Sequence, residues 1–269
     1  VWGTTQKHTW LVAEITVPEE ARGGTFAISI TSNWRIQQGS TDPQCLAYLD
    51  GRIVQAIDGN HSELVIARDA IPGTMHLLQV NAFTFDERPM VGFETDLVVR
   101  DDRIEGLYHD LSTAFEVAAR LPQADGCRHA VLNHVERALY ALDRREGQAG
   151  ALGQTLAEAE RIASEIHGLV GDDSKPTISA FGHTHLDVAW LWRVKQVRDK
   201  TARSFATALS LMDEFPEFVF MYNQAALFHY LKQDYPELWN RVKEKVRTGQ
   251  FAIDGAMWVE PDANISSGE

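Results

Sequence analysis

Two cysteines, Cys45 and Cys127, are all that the 269 residues contain. They lie far apart, so there is no disulfide framework and no thiolate zinc site, and a reducing, cytoplasmic compartment is expected. Positive charge is also short. Lys and Arg number 25 against 38 Asp and Glu, a formal net charge of −13. That balance argues against nucleic acid and against a membrane surface as partners, and plain solubility accounts for it. Long apolar runs are missing, so neither a membrane span nor a secretory leader is expected. Internal repeats, low-complexity tracts and a Pro/Gly/Ser linker are missing too. What is present is 44% hydrophobic content, ample for a core and, at this length, for two domains. The chain opens at Val1 and ends at Ser267-Gly268-Glu269 without a stop signal for a domain, so it reads as a piece of a longer protein.

The pattern divides the chain in three: a β-sandwich domain over 1–100, a helical linker region over 101–175, and the first part of an α/β catalytic domain over 176–269. The first part alternates in short runs: 10–17, 25–31, 46–49, 52–55, 76–83 and 91–100. Asp50-Gly51 between two of these runs is a strong hairpin signal. Trp2, Trp10 and Trp34 are candidates for stacking on sugar rings, or are core and interface aromatics. From Leu107 to Leu121, Ala130 to Leu142 and Gln154 to Leu169 apolar residues recur at helical spacing. His109, His129, His134 and His167 fall there without metal-ligand spacing. From Pro176 strands alternate with helices: strand 177–181, helix 191–212, strand 218–222, helices 225–233 and 236–246, strand 251–254. That alternation predicts a parallel sheet or barrel, and three strands do not close a barrel.

The chemistry concentrates in two stretches that each follow a predicted strand: 181–190, with His183, His185, Asp187 and Trp190, and 255–264, with Glu260 and Asp262. In parallel α/β folds the C-terminal ends of strands are where ligands gather. His185 and Asp187, two apart on an extended segment, point to one side. Imidazole plus carboxylate is half of a zinc-type site, or simply a hydrogen-bonded loop pair. Asp262 reaches the same cation if the strands are parallel, or is a turn residue after Pro261.

The run Gly182-His183-Thr184-His185-Leu186-Asp187-Val188-Ala189-Trp190-Leu191-Trp192, with Trp258-Val259-Glu260-Pro261-Asp262 and the Ser267-Gly268-Glu269 tail, resembles the zinc-dependent retaining α-mannosidases of glycoside hydrolase family 38. Within them it is most similar to the cytosolic, vacuolar and bacterial branch. Weaker likeness runs through Tyr48-Leu49-Asp50-Gly51-Arg52, Asp58-Gly59-Asn60-His61 and Leu107-Tyr108-His109-Asp110. The resemblance implies a β-domain before a (β/α)-barrel. It implies zinc held by His185, Asp187 and Asp262, with Asp262 also the nucleophile that forms a covalent mannosyl-aspartate. It implies Trp190 in the subsite of the scissile mannose, and mannose-containing oligosaccharides as substrates. An oxygen-rich site also tolerates cobalt or another divalent ion. The family's fourth ligand, a histidine, and its acid/base aspartate match nothing here, so the isolated chain is expected to be inactive. A homo-oligomer is compatible with all of this.

Two other classes stay open. In a metal-dependent amidohydrolase, His183 and His185 would both be ligands. In a carbohydrate-binding module the β-domain would act alone, without metal. Glu260 reads as a structural carboxylate.

Overall fold

In a computed structural model of the chain, residues 7–32, 43–84, 92–145, 149–169, 178–190, 192–255 and 257–261 are described. They form two compact units, one built from 1–99 and 179–269, the other from 100–178.

The first unit is mixed α and β. Its N-terminal part holds β1 (Lys7–Thr16), β2 (Thr25–Ser32), β3 (Gln44–Leu49), β4 (Arg52–Ile57), β5 (Glu63–Ala67), β6 (Met75–Thr84) and β7 (Phe93–Arg100). One sheet runs β1-β6-β3-β4 with antiparallel neighbours, and a second runs β5-β2-β7. A single buried core takes Ile15, Ala47, Leu78 and Val80 from the first sheet and Phe26, Ile28, Leu64 and Ile66 from the second. Alternation along each strand sends one set of side chains to that core. The expected hairpin is present: Asp50 and Gly51 both take positive φ, 51° and 79°, as a type I′ turn requires. β5 is a strand that the alternation pattern did not single out. Of the three tryptophans proposed for sugar stacking, Trp10 is exposed and tilts against Tyr48 at 5.2 Å. Trp2 and Trp34 lie outside the described residues.

Asp50 does more than turn the chain. Its carboxylate accepts the Leu77 N–H at 2.8 Å and meets His76 Nδ1 at 2.8 Å, tying the hairpin to β6. The His76 bond, then the Leu77 bond, hold this carboxyl below its ordinary value of 3.8. A carboxyl lowered by folding stabilises the fold above its unfolded pKa, and that contribution fades as pH falls through the folded value. Half exposure makes the effect small. Asp50→Asn should therefore lower the melting temperature slightly near neutrality and flatten the acid limb below about pH 4. Thermal unfolding across that range checks it, and identical acid limbs would contradict it.

The C-terminal part of this unit carries α4 (Val194–Glu214), β8 (Phe220–Tyr222), α5 (Ala225–Asp234), α6 (Pro236–Thr248) and β9 (Phe251–Ile253). β8 and β9 pair in parallel. Of the strand expected over 177–181, the described residues 178–181 form none and the pairing is one parallel bridge just beyond them, Gly182 to Phe220, while Thr177 lies outside the described residues. Phe205 of α4 is fully buried and lies within 6.4 Å of the rings of Phe220, Tyr222, Phe228 and Phe251. α4 also packs on β4, where the Ala56 N–H donates to Thr207 Oγ1 at 3.1 Å. Pro236 opens α6, and Gly249, at φ 85°, closes it.

The second unit contains α1 (Asp102–Arg120), α2 (Gly126–Ala141) and α3 (Ala149–Glu165), the last continued by a 3-10 turn over Ile166–Leu169. Asp101 caps α1 by accepting from the N–H groups of Arg103 and Ile104, and Asp125 caps α2 by accepting from Cys127. Leu107, Leu111, Val131, Val135, Leu156 and Ile162 form its core. Among the described residues no helix is long and apolar enough to cross a membrane.

Candidate metal and glycoside site

Three extended segments run side by side at the base of the site. Gly182 N–H donates to Val219 O at 2.7 Å, and Met221 N–H to Gly182 O at 2.8 Å. On the far side of β8, Phe220 N–H donates to Gln250 O at 2.9 Å. Parallel pairing makes 183–187, 223–224 and 254–255 leave at the same end. Only glycine fits at 182: a Cβ there would stand 2.5 Å from the Phe218 ring and 3.1 Å from Phe220.

Beyond Gly182, Leu186 plugs into the core and is 1% exposed. Its neighbours at one residue either side, His185 and Asp187, therefore turn outward together. The buried Gln224 holds this loop, its Nε2 donating to Leu186 O at 2.9 Å. Trp192 Nε1 donates to Asp187 O at 2.9 Å. Ala189 and Trp190 both sit at positive φ, 77° and 54°. Two consecutive L-residues in that region cost roughly 1–3 kcal/mol each, a strain typical of functional loops. The result is that Trp190 stands 72% exposed, edge-on to Trp192 at 6.1 Å. Lys200 Nζ lies 4.5 Å over the Trp192 ring. Burial first, then Arg203, hold that ammonium below its usual value, with Asp187 opposing them.

The second loop is held by the start of α5. The N–H groups of Ala225 and Ala226, unpaired within a helix's first turn, donate to Met257 O at 3.0 Å and Trp258 O at 2.9 Å. Trp258 packs on His229 at 5.6 Å. This anchoring delivers Glu260 to His185.

His185 is the hub. Its Nε2 lies 2.9 Å from Asp187 Oδ1, and its Nδ1 lies 3.1 Å from Glu260 Oε2. Two donors at about 2.0–2.2 Å from one tetrahedral zinc ion stand about 3.4 Å apart. The Nε2–Oδ1 pair is hydrogen-bonded at 2.9 Å, and opening it by about 0.5 Å would give His185 and Asp187 two adjacent places on one ion. Glu260 is on the other side of the ring and does not join them. Accordingly, among the described residues no group of three or more His, Cys, Asp or Glu forms a complete metal site. Asp262 lies outside the described residues.

His183 goes elsewhere. Its Nδ1 meets Met221 O at 3.0 Å and its ring stacks on Tyr222 at 5.6 Å. The His-x-His pair of the amidohydrolase alternative is thus not brought together on one ion. A cavity of about 350 Å³ opens on the His183 side, between β3–β4 and α4, lined by Asp58, His61, Lys200 and Arg203 but not by His185, Asp187 or Glu260. Burial, and next the charge of Glu260, push the Tyr222 phenol up, so it stays protonated beneath the cluster.

Residues 175–269 match the Glycosyl hydrolases family 38 N-terminal domain. The chain's relatives are α-mannosidases. The chain is 45% identical over 116 residues to Alpha-mannosidase 2C1 of Homo sapiens, covering 43% of this chain and 11% of that one. It is 46% identical over 110 residues to Alpha-mannosidase G of Dictyostelium discoideum, 41% of this chain and 10% of that one. It is 30% identical over 182 residues to Alpha-mannosidase of Saccharomyces cerevisiae, 65% of this chain and 17% of that one. The chain thus spans between a tenth and a fifth of the length of these relatives.

Proposed function

We propose that this chain is the part of a zinc-dependent, retaining α-mannosidase that carries the nucleophile and most of the metal site. The observation that supports it best is the approach of His185 Nε2 and Asp187 Oδ1 to 2.9 Å at the ends of parallel strands, inside a family 38 segment. His185, Asp187 and Asp262 hold the ion, and residues 176–269 open a (β/α)-barrel. Bound zinc supplies a Lewis-acid grip on the sugar's hydroxyls and keeps neighbouring carboxylates ionised.

The chain's own residues do the rest. Asp262 attacks the anomeric carbon of the terminal α-linked mannose, and the glycosidic bond breaks to leave a mannosyl-aspartate. Trp190, exposed and held by a strained turn, offers its apolar face to the C–H side of the ring. A retaining mechanism needs a second carboxyl about 5–5.5 Å from the nucleophile to protonate the leaving oxygen and then activate water. No residue of this chain is assigned that role, so the chain alone is without turnover. The substrates are mannose-containing oligosaccharides, and the compartment is reducing and cytoplasmic.

The test is hydrolysis of an aryl α-mannoside by the polypeptide that carries these 269 residues within its full length. Activity should vanish on chelation and return with zinc. Turnover that resists chelation would overturn the zinc mechanism, and turnover by the 269 residues alone would overturn the division of labour.

A further inference from the structure

Both nitrogens of His185 face a carboxylate: Nε2 faces Asp187 at 2.9 Å and Nδ1 faces Glu260 at 3.1 Å. A neutral imidazole has one N–H and donates to only one of them. Which nitrogen keeps the proton decides which lone pair is left for a cation. Asp187 is the partner that shares an ion with Nε2, so Nδ1 is the nitrogen that must donate. Glu260 is placed to accept.

We propose that Glu260 is a positioning residue for the metal: it takes the Nδ1 proton of His185 in a hydrogen bond, fixes the tautomer and ring plane, and turns the Nε2 lone pair toward the ion. The proposal rests on the zinc reading above. Three observations carry it. Glu260 is two-thirds buried. Among the described residues it forms no ion pair with Lys or Arg, and His185 is the side chain that its carboxylate meets. Its position is built, because α5 grips the carbonyls of Met257 and Trp258 just before it. A carboxylate behind a ligating histidine also makes the ring a stronger donor, and removing such a partner costs about 10–100-fold in metal affinity.

The experiment uses the 269-residue chain with Glu260→Ala and Glu260→Gln. Zinc affinity is read by competition with a chromogenic chelator. The His185 tautomer is read from ring ¹⁵N shifts of the metal-free chain near pH 8, where an ordinary imidazole is neutral. Unfolding midpoints confirm that each variant is folded. Glu260→Ala should weaken zinc binding roughly 10- to 100-fold and move the proton off Nδ1. Glu260→Gln keeps an acceptor oxygen and should recover part of both, which loss of fold would not do. Wild-type zinc binding with unchanged affinity and tautomer in both variants would overturn the proposal. A wild-type chain that takes no zinc, yet whose tautomer shifts in Glu260→Ala, would overturn the zinc reading while supporting the hold of Glu260 on the ring.

Discussion

Phe205→Ala should destabilise the first unit by roughly 3–5 kcal/mol, the usual cost of emptying a phenylalanine-sized space in a packed core. The ring has no exposure and meets four aromatic rings, at 5.2 to 6.4 Å, from β8, α5 and β9. Those partners have little room to close in. Phe220 and Phe251 are paired across the parallel ladder, and Tyr222 continues it. A typical domain is stable by about 5–15 kcal/mol, so this one change consumes a large share. Denaturant unfolding followed by tryptophan fluorescence measures it. Because β8 forms the floor under His185, zinc binding should weaken in step with stability. A loss below about 1 kcal/mol would mean that the aromatic cluster is not the keystone of this unit.

Asp187→Ala should remove metal binding almost completely. Outer partners of a ligand are worth about 10–100-fold in affinity, and a direct oxygen ligand is worth more. The expected content falls from about one zinc per chain to background. The backbone should hardly notice. Trp192 bonds the carbonyl of Asp187, not its carboxylate, and Leu186 still plugs the core. So the unfolding midpoint without metal should be nearly unchanged, while the rise that zinc gives the wild type disappears. Elemental analysis and metal-dependent thermal shifts check both halves. Full zinc content in the variant would move the site away from this loop.

Much of this arrangement is legible in the residues, for local reasons. Asp50-Gly51 marks its hairpin because both central positions need positive φ. Pro236 and Gly249 mark the ends of α6 because one lacks an N–H and the other lacks a Cβ. The pairing of His185 with Asp187 follows from their spacing around a buried Leu186. Other features depend on distant partners and leave no local mark. The stretch before Gly182 has the composition of a strand, yet a single bridge forms, since strand formation is decided by what pairs with it. α4 begins at Val194 rather than at Leu191, because Ala189 and Trp190 turn left-handed ahead of it. β5, Glu63–Ala67, has four apolar residues in a row and so shows no alternation. Above all, spacing alone does not say what Glu260 touches. Its contact with His185 is set by α5 N–H groups more than 30 residues earlier, so Glu260 reads as structural in sequence and stands beside His185 in the fold.

The most direct measurement is a crystal structure of the zinc-soaked chain with anomalous data collected across the zinc edge. The account predicts one strong peak in contact with both His185 Nε2 and Asp187 Oδ1, with Glu260 hydrogen-bonded to His185 Nδ1 behind it. A peak on His183, a peak elsewhere, or no peak at His185 in a chain saturated with zinc would contradict it.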